Sequence, residues 1–243
     1  MTSQATKHRL GKVFGLGLGP GDPELITLKA LRLLRACPVV AYPAPEGGAS
    51  FARRIVARWL SPAQREIVIA VPIESARFPA QAVYDRAAGE IAAELAAGRD
   101  VAVLCQGDPF FYGSFMYLFS RLAERHAVEV VPGVSSLTAC AAASGAPLAA
   151  REDTLLVLPA SLSEQLLLCR LAEVDAAAII KLGRHFAKVR AVLERLGLAA
   201  EARYVERASI AGEERVLPLA AVGAETVPYF SMILLHRRGA AWR

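Results

Sequence analysis

Hydrophobic positions along the chain fall into short apolar runs separated by longer amphipathic stretches, and this spacing sets the first structural expectation. Residues 13–18, 37–42, 66–71, 101–105 and 128–131 are short runs rich in Val, Ile and Leu, which predicts five strands. After the first run, Asp22 is placed to cap a helix with Pro23 at its first position. Leu25, Leu28, Leu31 and Leu34 then recur every third residue, which approximates one helical face. Pro43 and Pro45 close the second strand, and a helix over 50–60 leads to the third. An alanine-rich helix over about 80–97 ends at Gly98, and another covers 116–125. Strands alternating with helices in this way predict a parallel α/β sheet.

Three of these strands end in glycine-bearing turns: Gly19-Pro20-Gly21-Asp22, Gln106-Gly107-Asp108-Pro109 and Pro132-Gly133. Open parallel sheets bind ligands at that carboxyl edge. The second half is less regular. A helix over 135–144 stops at Gly145, and strands are expected at 154–158, 177–182 and 203–206. Two further strands, 214–218 and 229–236, follow without a full helix between them, which predicts hairpin-like antiparallel pairing and a mixed sheet. The expected architecture is therefore α/β with two domains, 1–133 mainly parallel and 134–243 mixed.

Composition narrows the classes. With 243 residues and 54% hydrophobic content the chain can bury a large core. Its opening residues carry no apolar run of the signal-peptide kind, and no run of 18 apolar residues occurs, so no membrane span is expected. The net charge of +5 favours an anionic partner, with nucleic acid, anionic lipid and a polycarboxylate metabolite all compatible. The basic residues are dispersed, the densest groups being the pairs Arg53-Arg54 and Arg237-Arg238, which argues against nucleic acid. Cys37, Cys105, Cys140 and Cys169 are far apart, and the four histidines do not cluster near them. Zinc and a disulfide framework need closer patterns, so buried reduced thiols in a cytoplasmic protein are expected, with no metal requirement.

The motifs leave two readings each. Gly15-Leu16-Gly17-Leu18-Gly19-Pro20-Gly21-Asp22 fits neither GxGxxG nor GxxxxGK[ST]. It either lets a helix pack on the strand or brings backbone close to a ligand. Asp108 either caps the next helix or belongs to a pocket whose wall includes the adjacent rings of Phe110 and Phe111, which suit a flat ligand such as adenine. Pro132-Gly133-Val134-Ser135-Ser136 brings hydroxyls and amides to a helix start, where an anion is attracted. It lacks the second glycine of a GxSxG elbow, so capping is favoured over a serine nucleophile. His126 and His185 have the placement of ordinary helix-end residues.

Read together, GLGLGPGDPELITLKALRLLRACPVVAYP, CQGDPFFYGSFMYL and VVPGVSSLTACAAASGAPLA resemble the tetrapyrrole methylase family over nearly the whole chain, in motif order and spacing. The resemblance implies two α/β domains with S-adenosylmethionine in the cleft between them, S-adenosylhomocysteine as product, and a homodimer. Tyr42-Pro43, the run Phe115-Met116-Tyr117-Leu118 and Tyr229-Phe230-Ser231 in the last strand imply precorrin-2, methylated at C20, as acceptor. Pro43 stands where the uroporphyrinogen branch typically has an acidic residue, which argues against that branch.

Carried onto this chain, the resemblance implies cofactor contacts at Pro20, Gln106, Gly107, Asp108, Phe111, Ser135, Ser136, Leu182 and Ala208, mostly through main-chain atoms. Gln106 stands where relatives often have a small residue. A polycarboxylate acceptor makes the positive charge understandable, with Arg151, Lys181 and Arg184 as partners for its carboxylates and Tyr229 for its ring; solvated charge and core packing are the alternatives. No catalytic side chain is assigned. Rival readings are another corrin-ring methylase or the cobalt-loaded acceptor, a ribosomal-RNA methylase, which requires a continuous basic surface, and a non-enzymatic tetrapyrrole carrier.

Overall fold

A computed structural model describes residues 9–72, 81–223 and 226–237. Two expected features reach outside these residues: the start of the alanine-rich helix at Ala80, and Arg238 of the terminal arginine pair. The chain divides into two compact units, Met1–Ser135 and Ser136–Arg243.

The first unit comprises β1 (Val13–Gly17), α1 (Leu28–Ala36), β2 (Val39–Pro45), α2 (Phe51–Val56), β3 (Arg65–Val71), α3 (Gln81–Ala96), β4 (Val101–Cys105), α4 (Phe115–Leu122) and β5 (Val128–Val131). Its five-stranded sheet has the order β3-β2-β4-β1-β5, and every pairing is parallel. The buried runs β1 and β4 have apolar residues on both faces, as a parallel sheet covered on both sides requires. Side chains of α1 and α2 pack with Phe14, Leu16 and Leu104 on one face. Those of α3 and α4 pack with Val13, Val101 and Val103 on the other. The chain therefore leaves β1 toward one face and β4 toward the opposite face, which makes the gap between them the topological switch point of the sheet.

The expected first helix is divided. Asp22 caps only the 3-10 turn Pro23–Leu25, accepting from the Glu24 N–H at 2.8 Å. Thr27 then caps α1, accepting from Ala30 N–H at 3.1 Å. With the start moved to Leu28, the buried face is Ala30, Leu33 and Leu34, while Leu28 is 87% exposed. A strict three-residue repeat drifts by about 60° per step around a helix of 3.6 residues per turn, so the leucine series does not hold one face. Pro43 and Pro45 lie inside β2 rather than after it. Glu46 donates its N–H to Val71 O on β3, so residues of opposite parity point toward β4, whose pairing already ends at Ala41. The missing proline N–H groups therefore interrupt no ladder bond.

The second unit comprises α5 (Ser136–Ser144), β6 (Leu155–Pro159), α6 (Glu164–Leu171), β7 (Ala176–Ile180), α7 (Phe186–Arg195), β8 (Ala202–Glu206), β9 (Arg215–Pro218) and β10 (Ser231–His236). Its sheet, β6-β7-β10-β8-β9, is mixed: β6 and β7 are parallel and the other pairs antiparallel. β9 and β10 do not pair with each other as a hairpin; they flank β8 from either side. Leu137 and Cys140 of α5 cover Ala178, Val205 and Met232 on one face. Leu167 and Leu171 of α6, with Phe186 and Val189 of α7, cover Ile179, Tyr204 and Ile233 on the other. No helix among the described residues is long and apolar enough to cross a membrane.

Candidate cofactor and substrate site

In the first unit, the three glycine turns meet at the carboxyl ends of β1, β4 and β5. Gly107 donates its N–H to Gly19 O at 2.7 Å, which zips the first turn to the second. The Gln106 side chain donates to Pro20 O at 3.3 Å across the same seam. The third turn approaches so closely that a Cβ on Gly133 would stand 2.2 Å from Gly107 O. Asp108 ties the arrangement together. Its Oδ1 accepts from the N–H groups of Phe110 at 2.9 Å and Phe111 at 3.1 Å, and its Oδ2 from Gly133 N–H at 3.0 Å. Asp108 therefore shapes its own turn rather than capping α4, whose N-cap is Ser114.

Helix packing holds for one glycine of the first strand, and the close approach at another is to the chain's own backbone. A Cβ on Gly15 would meet the Phe115 ring at 2.4 Å, so that glycine serves helix packing; Gly17 instead admits the β5 turn. The adjacent aromatics Phe110 and Phe111 are both exposed. Phe110 packs edge-on against Phe119 with centroids 5.0 Å apart. Phe111 stands edge-on to Tyr112 at 5.2 Å, and both rings are exposed beside the turns, available to a flat ligand. Ser135 closes the first unit, and Ser136 opens α5 of the second.

In the second unit, antiparallel registry brings the ends of β7 and β8 and the start of β10 to one edge of the sheet. Lys181 Nζ lies 5.8 Å from the Tyr229 ring centroid, and the Arg207 N–H donates to Phe230 O at 2.9 Å. Tyr229 and Phe230 precede β10 instead of belonging to it; they are exposed, and Tyr229 is not core packing. Arg184 is exposed in the 3-10 turn Gly183–His185 that follows β7. The Leu182 side chain is fully buried in the core, so only its main chain can meet a ligand. Ala208 is also buried. Arg151 is not brought to this edge: it precedes β6, whose first residue pairs with Ala176 at the opposite end of β7.

Backbone strain concentrates at these edges. Among the described residues, the non-glycine residues with positive φ are Tyr112, Lys181, Arg207, Ser209 and Arg151. The first four adjoin Phe111, Leu182 and Ala208. Such conformations cost on the order of 1–3 kcal/mol each and persist where surrounding structure imposes them, characteristically at ligand sites. No sequence signal marks them, because none is glycine.

A separate hollow of about 360 Å³ is lined by Tyr42, Ser50, Arg53, Val68 and neighbours from β2, α2 and β3, and by none of the turn residues. Its main polar groups are engaged, since Glu66 holds both the Tyr42 hydroxyl and the Arg53 guanidinium. Among the described residues no group of His, Cys, Asp and Glu is arranged to hold a metal ion. Cys37, Cys105 and Cys140 are buried as expected, whereas Cys169 is exposed on α6, a solvent-facing position that its apolar sequence neighbours conceal.

Glycine turns clustered at the switch point of a parallel sheet mark an edge where ligands bind, and comparison with known proteins gives the family. The sequence profile of the tetrapyrrole (corrin/porphyrin) methylases matches residues 12–222, and the chain belongs to that family. It is 46% identical over 233 residues to the cobalamin biosynthesis protein CobIJ of Mycobacterium bovis, covering 93% of this chain and 46% of that protein; the chain thus spans about half the length of this relative. It is 40% identical to the precorrin-2 C(20)-methyltransferase of a Sinorhizobium species, covering 93% of this chain and 95% of that protein. The cobalt-precorrin-2 C(20)-methyltransferase of Salmonella typhimurium is 31% identical, with 94% and 97% covered. Among solved structures, a cobalt precorrin-4 methyltransferase shares the fold with a TM-score of 0.72 at 24% identity, covering 93% of this chain and 94% of that one. The uroporphyrin-III C-methyl transferase of Thermus thermophilus, complexed with S-adenyl homocysteine, has a TM-score of 0.67 at 28% identity, covering 93% and 92%.

Proposed function

We propose that this chain is an S-adenosylmethionine-dependent C-methyltransferase that methylates precorrin-2 at C20 to give precorrin-3A in cobalamin biosynthesis, acting in the cytoplasm as a homodimer. The observation that carries the acceptor is the 40% identity to a precorrin-2 C(20)-methyltransferase over almost the full length of both chains. The first unit's geometry fits an adenosyl cofactor: main-chain groups crowd the switch point, and flat rings stand beside them.

Pro20, Gln106, Gly107, Asp108, Phe111 and Ser135 form the cofactor contacts of the first unit in this reading. The second unit adds Ser136 at the start of α5 and the main chain at Leu182 and Ala208. S-adenosylmethionine, when bound, supplies a methyl group already activated on a sulfonium. The residues of this chain then have to hold the acceptor carbon in line, keep water away and let C20 release its proton after it takes the methyl group. Alignment of two reactants at near-attack distance removes roughly 7–11 kcal/mol of a barrier, without a nucleophilic side chain. Tyr229 offers a ring face to the macrocycle, and Lys181 and Arg184 offer cations to its carboxylates.

A second reading, the cobalt-loaded acceptor, is favoured by the likeness to the Salmonella protein. Incubation with methyl-labelled S-adenosylmethionine and either metal-free or cobalt-loaded precorrin-2, followed by location of the label, separates the two. Label at C20 of the metal-free ring supports the first reading. Label only in the cobalt-loaded ring selects the second. Label at another carbon, or none, removes the C20 assignment.

A further inference from the structure

We propose that Glu214 is a positioning residue that fixes the main chain at Ala208 for the adenosyl cofactor; this rests on the cofactor reading above. Ala208 lies just past β8 between two left-handed residues, Arg207 at φ 49° and Ser209 at φ 66°. Neither neighbour is glycine, so this backbone has to be held by something outside it. The restraint comes from the far side of the loop. Glu214 Oε2 accepts the Ser209 N–H at 2.6 Å, a short hydrogen bond to a charged acceptor. The N–H groups of Glu213 and Glu214 both donate to Ile210 O at 3.0 Å, which folds the loop back so that the carboxylate reaches Ser209. On the near side, Arg207 N–H is fixed to Phe230 O at 2.9 Å, and its guanidinium to Glu213 at 2.9 Å.

Ala208 has a methyl side chain and is buried, so it contributes shape through its peptide groups. The direction of those groups depends on the two left-handed residues, and Ser209 depends on the reach of the Glu214 carboxylate. Charge is secondary in this arrangement. A glutamine keeps an acceptor oxygen at the same distance from the backbone, whereas an aspartate keeps the charge and falls one methylene short.

Calorimetric titration of the full chain with S-adenosylhomocysteine, alongside KM for S-adenosylmethionine and kcat, tests this with Glu214→Gln and Glu214→Asp. The expected result for E214D is a Kd and KM raised about tenfold, the size of one lost charge-assisted hydrogen bond, with kcat at saturation changed far less. E214Q is expected to bind within about threefold of the wild type. E214D binding as tightly as wild type, or E214Q binding more weakly than E214D, overturns the assignment. Wild-type protein that does not take up S-adenosylhomocysteine overturns the cofactor reading itself, which distinguishes the two failures.

Discussion

Gly133→Ala is the most direct test of the convergence of the three strand-end turns. The added Cβ would stand 2.2 Å from Gly107 O and 2.7 Å from Gly17 Cα, where ordinary contact begins near 3.4 Å. All of these neighbours are backbone, so no rotamer change relieves the overlap. The β5 turn has to withdraw by about 1 Å, and overpacking of this kind costs about 1–3 kcal/mol. In a chain of this size that lowers Tm by roughly 2–12 °C. The functional loss is expected to be larger, because a displacement of about 1 Å in a positioning element costs on the order of 100-fold in rate. The same shift pulls Gly133 N–H away from Asp108, loosening the turn that presents Phe111. Thermal unfolding, S-adenosylhomocysteine affinity and kcat/KM are the measurements. Gly89→Ala is the control: Gly89 is exposed in α3 and a Cβ there meets nothing within 4 Å. That variant is expected to gain about 0.5–1 kcal/mol from reduced backbone entropy, with unchanged activity. A G133A protein that stays folded and keeps kcat/KM within about twofold of wild type refutes the convergence as a functional device.

Three further outcomes follow from the same geometry. Asp108→Asn loses one acceptor oxygen and is expected to weaken S-adenosylhomocysteine binding about tenfold; Asp108→Ala loses the acceptor for three N–H groups and is expected to cost about 100-fold. Equal binding by D108A and wild type would show that the carboxylate does not organise the site. In acid, Glu66 is held down to about 2 by hydrogen bonds from Arg53 and then Tyr42 against burial, and Glu129 to about 2 by Lys12 and Lys29. A depressed folded pKa gives stability that is present above the unfolded value near 4.5 and is lost as pH falls toward 2. Tm is therefore expected to stay level from pH 7 to about 5 and fall below that, with a smaller fall in Glu129→Gln; an unaltered acid profile in that variant contradicts the assignment. Finally, Cys169 is exposed while burial pushes the Cys37 and Cys140 thiols up to about 12. A disulfide reagent at about pH 8 is expected to modify one thiol rapidly in native protein and four after denaturation, and fast reaction of a second native thiol would place one of the buried cysteines at the surface.

Much of the first unit is legible in the sequence because its strands are short uniform apolar runs bounded by turn residues. That pattern delimits β4 and β5 to the residue, and the glycine turns at three strand ends point to the edge where they meet. What periodicity cannot supply is competition between local caps. Thr27 outcompetes Asp22 for α1 and rotates the buried face away from Leu28. Nor does a sequence show contacts between distant residues: the Asp108 bond to Gly133 spans 25 positions, and the Lys181–Tyr229 contact joins two strand ends that only antiparallel registry brings together. The left-handed residues are hidden for a different reason. Tyr112, Lys181, Arg207 and Ser209 have side chains that disfavour their own backbone conformations, so propensity points away from them.

The kinds of residue that composition fails to find and the kind of chemistry proposed are connected. Transfer of an activated methyl group needs no nucleophilic side chain, although C20 has to lose a proton once the methyl has arrived. It does need fixed direction, which depends on main-chain geometry. The first unit fixes direction by contact: Gly17 and Gly133 let their turns touch, Gly107 supplies a left-handed turn, and one carboxylate locks two of the turns. The second fixes it by restraint: Arg207 and Ser209 are held left-handed by partners beside β10 and on the far side of their own loop. Substituting an exposed cation at either edge changes one contact with an acceptor. Altering a turn glycine, or shortening a loop carboxylate, changes the direction of the peptide groups in that turn or loop. The residues that matter most for alignment are therefore ones with little chemistry of their own.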